Sequence, residues 1–483
     1  MSRSKPSTGL SSACREIWPF KRRNMATSTD TYDLLIRGGA IVGETGVRSA
    51  DIAVADGRIV LVDPEIAGAA AATIVATGLH VFPGVIDAHV HFNDPGRTEW
   101  EGFGSGSRAL AAAGGTTFFD MPLNAHPPTI DAESFKQKLQ VASGVSHVDF
   151  ALWGGMVPGN LDRMDELASC GVIGFKAFMS NSGIDDFQAV DDYALYDGMT
   201  RAARLKRIVA VHAENDAITA ALARQAVAKG QTAARDYLRS RPAIAELEAI
   251  NRAILFAQGT GCSLHIVHVT TGRGVALVAE ARGRGVDVSC ETCPHYLVLC
   301  DDDLERLGAV AKCAPPLRSA LEREALWRHI QTGALQMVAS DHSPAPPSMK
   351  TGDDFFRIWG GISGCQHLLA LLITEGHVSR DLPLHLIGRL TASYVADRFG
   401  LAPRKGRLAE GYDADVALVD LEAGYEIRAE DLMYRHRQSP YVGRSVRGRV
   451  VQTLVRGTTV YRDGEIVGQP LGRLVTPQQR TST

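Results

Sequence analysis

No apolar run in this chain of 483 residues approaches the 18 or so needed to cross a bilayer, so no spanning segment is expected. Charge of one sign is also missing. The 51 basic and 54 acidic residues leave a formal charge of −3, which gives no reason to expect nucleic acid or an anionic membrane as partner. Cysteine is sparse and scattered, eight residues at 14, 170, 262, 290, 293, 300, 313 and 365. That spread is no disulfide framework and suits a reducing, cytoplasmic compartment. Cys290-x-x-Cys293 has no second pair at zinc-ribbon spacing and reads as two buried thiols. Residues 1–31 are Ser-rich and basic, with Lys21-Arg22-Arg23 before Met25, but lack the apolar core of a secretory signal. They read as a disordered or leader segment, organelle targeting left open. The remaining composition, 45% apolar and 22% charged, is that of a soluble enzyme with a large core.

Short strands and turns open the chain: Asp33–Gly39, Asp51–Val54 and Arg58–Val62, with Asp56-Gly57 as a hairpin signal. Similar material returns at Asp415–Val419 and Gln452–Gly457. The two ends are expected to pair into one small β-sandwich built from residues 32–80 and 405–467. Between them, apolar strands alternate with helical stretches: Thr116–Met121 after Gly102–Ala113, His147–Trp153 before Leu161–Ser169, Val172–Phe178 before Asp192–Leu205, and Ile208–His212 before two helical runs. Leu264–Val269, Val286–Cys290 and Gln336–Ser340 follow. With the strand ahead of His89 this makes eight βα units, so residues 81–404 are read as an α/β, TIM-like (β/α)₈ barrel, and 468–483 as a flexible tail.

A barrel of this kind keeps its chemistry at the C-terminal ends of its strands. Strand one ends in Asp87-Ala88-His89-Val90-His91, whose two imidazoles point the same way, one pleat apart. Strand four ends at Lys176, strand five at His212, strand six at His268 and strand eight at Asp341-His342. Imidazole and carboxylate suit zinc and its neighbours. His89, His91, Lys176, His212, His268 and Asp341 are therefore the candidate ligands of two divalent cations, zinc by default, with cobalt or manganese as alternatives. Apolar neighbours around Lys176 imply burial and a lowered pKa, and a neutral amine adds CO2 to give a bridging carbamate, N6-carboxylysine. Asp341 is the candidate catalytic residue, taking a proton from the attacking water and handing it to the leaving nitrogen. His265 lies three residues before His268, points the other way by strand alternation, and is expected to face the helices. His295 and His342 are expected at the mouth or behind the ligands.

Taken together, Asp-Ala-His89-Val-His91, Gly-Phe-Lys176, Val-His212-Ala-Glu, Val-His268-Val and Ser-Asp341-His resemble the amidohydrolase superfamily, and within it the cyclic-amide hydrolases, from about Leu34 to Val467. The resemblance implies a carbamylated lysine bridging two metals, a β-sandwich from both chain ends, and a homotetramer. Dihydroorotases carry an arginine where this chain has Asn93, and dihydropyrimidinases a tyrosine that the run Lys176–Gly183 lacks. Gly174–Phe187, Phe92–Gly102, Asp120–Asn124 and Ser439–Gly443 resemble allantoinases instead. That similarity implies hydrolytic opening of the allantoin ring to allantoate, in purine (ureide) catabolism. Asn124, Asn93 and the main chain at Ala314, ahead of Pro315-Pro316, are the expected substrate contacts. Arg97 either binds substrate or braces the mouth through Glu99 or Glu101. The alternatives are a hydantoinase or dihydropyrimidinase, or a non-catalytic assembly protein on the same scaffold.

Overall fold

The computed structural model describes residues 31–478; apart from Thr31, the expected leader lies outside them. Nine strands from both chain ends hydrogen-bond into one sheet. Thr31–Val42, Val47–Ala55 and Arg58–Asp63 form a meander, its second turn made by Asp56 (φ 52°) and Gly57 (φ 72°), the left-handed pair that a tight hairpin needs. His80–Pro83 joins the ends: it runs parallel to Thr31–Val42 and antiparallel to Val416–Glu426. The sheet thus takes in Pro83, beyond the expected boundary at residue 80. Leu34, Ile36, Ile52 and Val54 from the start of the chain share one apolar cluster with Val416, Leu418 and Leu454 from its end.

Immediately after, the chain enters a (β/α)₈ barrel. Val85–Val90 pairs in parallel with Gly115–Asp120, and that strand with Asp149–Leu152. Gly154–Gly155 continues the third strand and pairs with Phe175–Phe178, followed in order by Val209–His212, Leu264–Ile266 and Val288–Cys290. The eighth strand is reduced to bridges. Val338 pairs with Thr292, and His342 pairs with Val90, the His91 N–H donating to the His342 carbonyl at 2.7 Å. That bond closes the ring.

Alternation along each strand sorts the apolar residues. Ile86, Phe119, Ala151, Ala210 and Met337 fill the barrel interior, whereas Val85, Phe118, Phe150, Val209 and Leu264 pack outward against the helices. Phe399 plugs the floor, its ring 5.2 Å from Phe119 and 5.4 Å from Trp153. Its neighbour Arg398 donates to the Leu264 carbonyl at 2.8 Å, which identifies this as the N-terminal end of the strands. The interior is therefore a packed core, open only at the opposite end.

Residues 472–475, within the segment expected to trail as a tail, instead lie along the third strand. Phe150 N–H donates to the Arg473 carbonyl (3.0 Å), Val475 N–H donates to the Phe150 carbonyl (2.7 Å), and Val475 is buried. Its apolar Leu471-x-x-Leu474-Val475 pattern supplies the reason. Beneath it, Lys405 is buried among Asp149 of the barrel (2.6 Å) and Asp413 and Asp415 of the outer sheet (3.1 and 2.6 Å). Removing this cation takes from buried Asp415 its ion-pair partner, while Asp149 still pairs with Arg456 and Asp413 with Arg404. Lys405→Met is expected to cost about 3–5 kcal/mol in urea-denaturation experiments, and a loss under 1 kcal/mol would show that the cluster is not a structural tie.

Candidate metal centre

At the open end of the barrel the expected residues converge. His89 and His91 follow strand one, and their Nε2 atoms lie 3.2 and 3.5 Å from Asp341 Oδ1. On the facing strands, His212 Nδ1 lies 3.1 Å from His268 Nε2. Two donors bound to one zinc at 2.0–2.1 Å stand about 3.3 Å apart, so these three spacings fit atoms that share a cation. Between the two groups sits Lys176 on strand four, fully buried, its Nζ without any hydrogen-bond partner and 5.0 Å above the Phe178 ring. His89, His91, Asn124, His212, His268, Ala314 and Asp341 line one cavity of about 430 Å³.

Backbone strain gathers at the same place. Asn93 (φ 69°), His268 (φ 40°) and Asp341 (φ 46°) are non-glycine residues in the left-handed region, a cost of about 1–3 kcal/mol each that cores avoid and sites retain. The strain at His268 overturns one expectation. Strand six ends at Ile266, and the left-handed turn rotates His268 inward although it lies three residues beyond the inward-facing His265. His265 does not face the helices. Its Nε2 lies 3.1 Å from Glu291 Oε2 inside the barrel, and its Nδ1 2.8 Å from Ser289 Oγ.

Comparison with known proteins agrees with this geometry. A model of the amidohydrolase family matches residues 80–460. The chain belongs to the amidohydrolase family. An allantoinase of Rubrobacter xylanophilus is 60% identical over 93% of this chain and 98% of its own length. One from Deinococcus radiodurans is 52% identical over 93% and 99%. Among solved structures, the L-hydantoinase (dihydropyrimidinase) from Arthrobacter aurescens superposes with a TM-score of 0.90 at 36% identity, covering 92% of this chain and all of that one.

This amidohydrolase presents donors suited to cations. Burial drives the His89 and His268 imidazoles well below their ordinary pKa, so they are neutral and keep a lone pair free. Burial likewise pulls Lys176 down to about 8, against the opposing pull of Asp341 and Glu291, which brings the neutral amine within reach near physiological pH. A buried, unpartnered amine between two groups of imidazole nitrogens fits the metal-dependent chemistry of the family.

Two carboxylates behind the ligands were given no role in the sequence reading. Glu291, at the end of strand seven, places Oε1 2.6 Å from His89 Nδ1 and Oε2 3.1 Å from His265, and burial raises its pKa to about 8. Accepting from Nδ1–H, it leaves His89 Nε2 free toward Asp341. Glu214 does the same for His212: its Oε2 lies 2.9 Å from Nε2, which leaves Nδ1 to face His268. Burial pushes the Glu214 carboxyl up, but its Arg241 and His212 partners outweigh that and hold it at about 2. A signal for Glu291 was present, since it is a charged residue at a barrel-strand end to which no role had been given.

The other expected contacts divide. Asn124 lines the cavity and donates to Asn93 Oδ1 at 3.2 Å, while Asn93 lies buried behind it. Arg97 braces the mouth, though through the Asn124 carbonyl and Asp186 rather than Glu99 or Glu101. His295 is buried beneath Asp341, and His342 turns away toward Glu101 (3.5 Å). Cys290 and Cys293 are buried free thiols. Glutamine at 291 offers one acceptor oxygen to two imidazoles. Glu291→Gln is expected to weaken metal binding about 10–100-fold in chelator competition, with unfolding unchanged; wild-type affinity would remove the positioning role.

Proposed function

We propose that this chain is an allantoinase, opening the hydantoin ring of allantoin by hydrolysis to give allantoate. The observation that carries the reading is the buried Lys176 amine, unpartnered and flanked by His89, His91 and Asp341 on one side and His212 and His268 on the other. Identity of 42–60% to eight proteins named allantoinase, over at least 89% of this chain, supports the choice of substrate. Lys176, carrying CO2 as a carbamate, would hold with the four histidines and Asp341 two divalent cations, zinc by preference, cobalt or manganese otherwise. Bound there, the cation pair would polarise the ring carbonyl and acidify the attacking water.

The protein's own groups do the rest. Asp341 accepts the proton of that water and returns it to the departing ring nitrogen as the amide bond breaks. Glu291 and Glu214 keep His89 and His212 in single tautomers, so the donors need no rearrangement during turnover. Asn124, with Asn93 behind it, and the main chain at Ala314 meet a ligand that is neutral and dense in donors and acceptors; uncharged amides suit it better than a cationic clamp. A homotetramer, a cytoplasmic location and the division into a composite β domain (32–83, three residues past the expected boundary, and 405–467) and a barrel (84–404) complete the proposal.

The likeness to solved hydantoinases favours a second reading, a hydantoinase or dihydropyrimidinase. Turnover separates the two. Allantoin is expected to open at a rate that Asp341→Asn lowers about 10²–10⁴-fold with metal content retained. Intact allantoin alongside opened dihydrouracil would sink the substrate assignment. The carbamate has its own test. Enzyme stripped of metal and CO2 is expected to recover only when a divalent cation and bicarbonate are supplied together, and Lys176→Met not at all. Full recovery without bicarbonate refutes the modification.

A further inference from the structure

His295 stands apart from every other histidine of the barrel. It is fully buried just inside the short helix Pro294–Val298, and among the described residues it alone has both ring nitrogens buried without a hydrogen-bond partner. Buried polar nitrogens are nearly always satisfied, and an imidazole left so calls for a ligand. Two residues earlier, Cys293 is equally buried and joined in no disulfide. One nitrogen of His295, the Cys293 Sγ and one carboxylate oxygen of Asp341 all lie within 4.8 Å of one another.

We propose that Cys293, His295 and Asp341 form a third cation site, adjoining the pair held around Lys176 and sharing its Asp341, that takes a thiophilic divalent cation such as Cd²⁺ or surplus Zn²⁺. Thiolate, imidazole and carboxylate together are a zinc-like donor set, whereas Mg²⁺ and Ca²⁺ demand oxygen throughout. Of the three groups Asp341 lines the cavity, so a cation reaches the site along its carboxylate. As the sulfur–metal bond forms, the Cys293 thiol gives up its proton to solvent.

Occupancy has a consequence for Asp341, whose Oδ1 also faces His89 and His91 at 3.2 and 3.5 Å. A cation held from the Cys293 side claims the carboxylate that the reaction needs for its proton, so the site is inhibitory. The inhibition rests on the function proposed above; the binding does not.

Cd²⁺ titrated into enzyme already loaded with its cation pair tests both halves. One further equivalent is expected, with a thiolate-to-cadmium band in the ultraviolet and a parallel fall in turnover. Cys293→Ser is expected to keep basal turnover and lose both band and inhibition. His295→Asn, which retains the thiol, is expected to need at least about tenfold more Cd²⁺. No band in the wild type, an undiminished band in Cys293→Ser, or unchanged affinity in His295→Asn overturns the site. A full band with undiminished turnover overturns the inhibitory role. Because the band needs no substrate, it stands even if allantoin proves not to be turned over.

Discussion

Burial of neutral nitrogen donors around one lysine is the constraint on which the rest of the structure depends. His89, His91, His212 and His268 are withdrawn from water with Lys176 at their centre. Desolvation holds Lys176, His89, His212 and His268 toward their uncharged forms. Such a cluster is costly in isolation, because it gathers lone pairs that have no protons to accept. Cations resolve the conflict, since they need those same lone pairs and repay the desolvation through direct bonds. Asp341, Glu291 and Glu214 then supply carboxyl oxygens beside the donors.

The scaffold makes such crowding tolerable. Phe399, Trp153 and Phe119 close the barrel floor, so the polar groups above meet no water from below. Between floor and mouth, His265 and Glu291 link the apolar layer to the ligands: Glu291 spans His89 and His265, and Ser289 connects His265 to Arg398 at the base (2.7 Å). The outer β sheet is tied to the barrel from beneath through Lys405, and the C-terminal segment pairs with the third strand. These contacts leave the mouth as the end at which loops are free to shape a pocket.

Much of this was legible along the chain. The apolar runs of the strands announced the barrel, and four imidazoles, a lysine and a carboxylate fell at five of their ends. Asp56-Gly57 marked a hairpin that the structure contains. Where the reading failed, the failure had a local cause. Strand alternation sent His265 outward because it assumed that an extended chain continued to His268, whereas the strand ends at Ile266 and His268 itself is left-handed. Leu471, Leu474 and Val475 were passed over because their partner, Phe150, lies more than 300 residues away.

Residue types and their spacing determined the class of fold and the identity of the candidate ligands, because each depends on periodicity or on the intrinsic chemistry of a side chain; the small neutral substrate was expected from the resemblance to allantoinases. Tertiary structure alone decided which imidazole nitrogen faces inward, which carboxylate stands behind which histidine, and that Cys293 and His295 meet Asp341. Those are relations between strands remote in the chain. The physical reason is that a hydrogen bond or a shared cation is defined by distances of a few ångströms, and only closure of the barrel brings such atoms together.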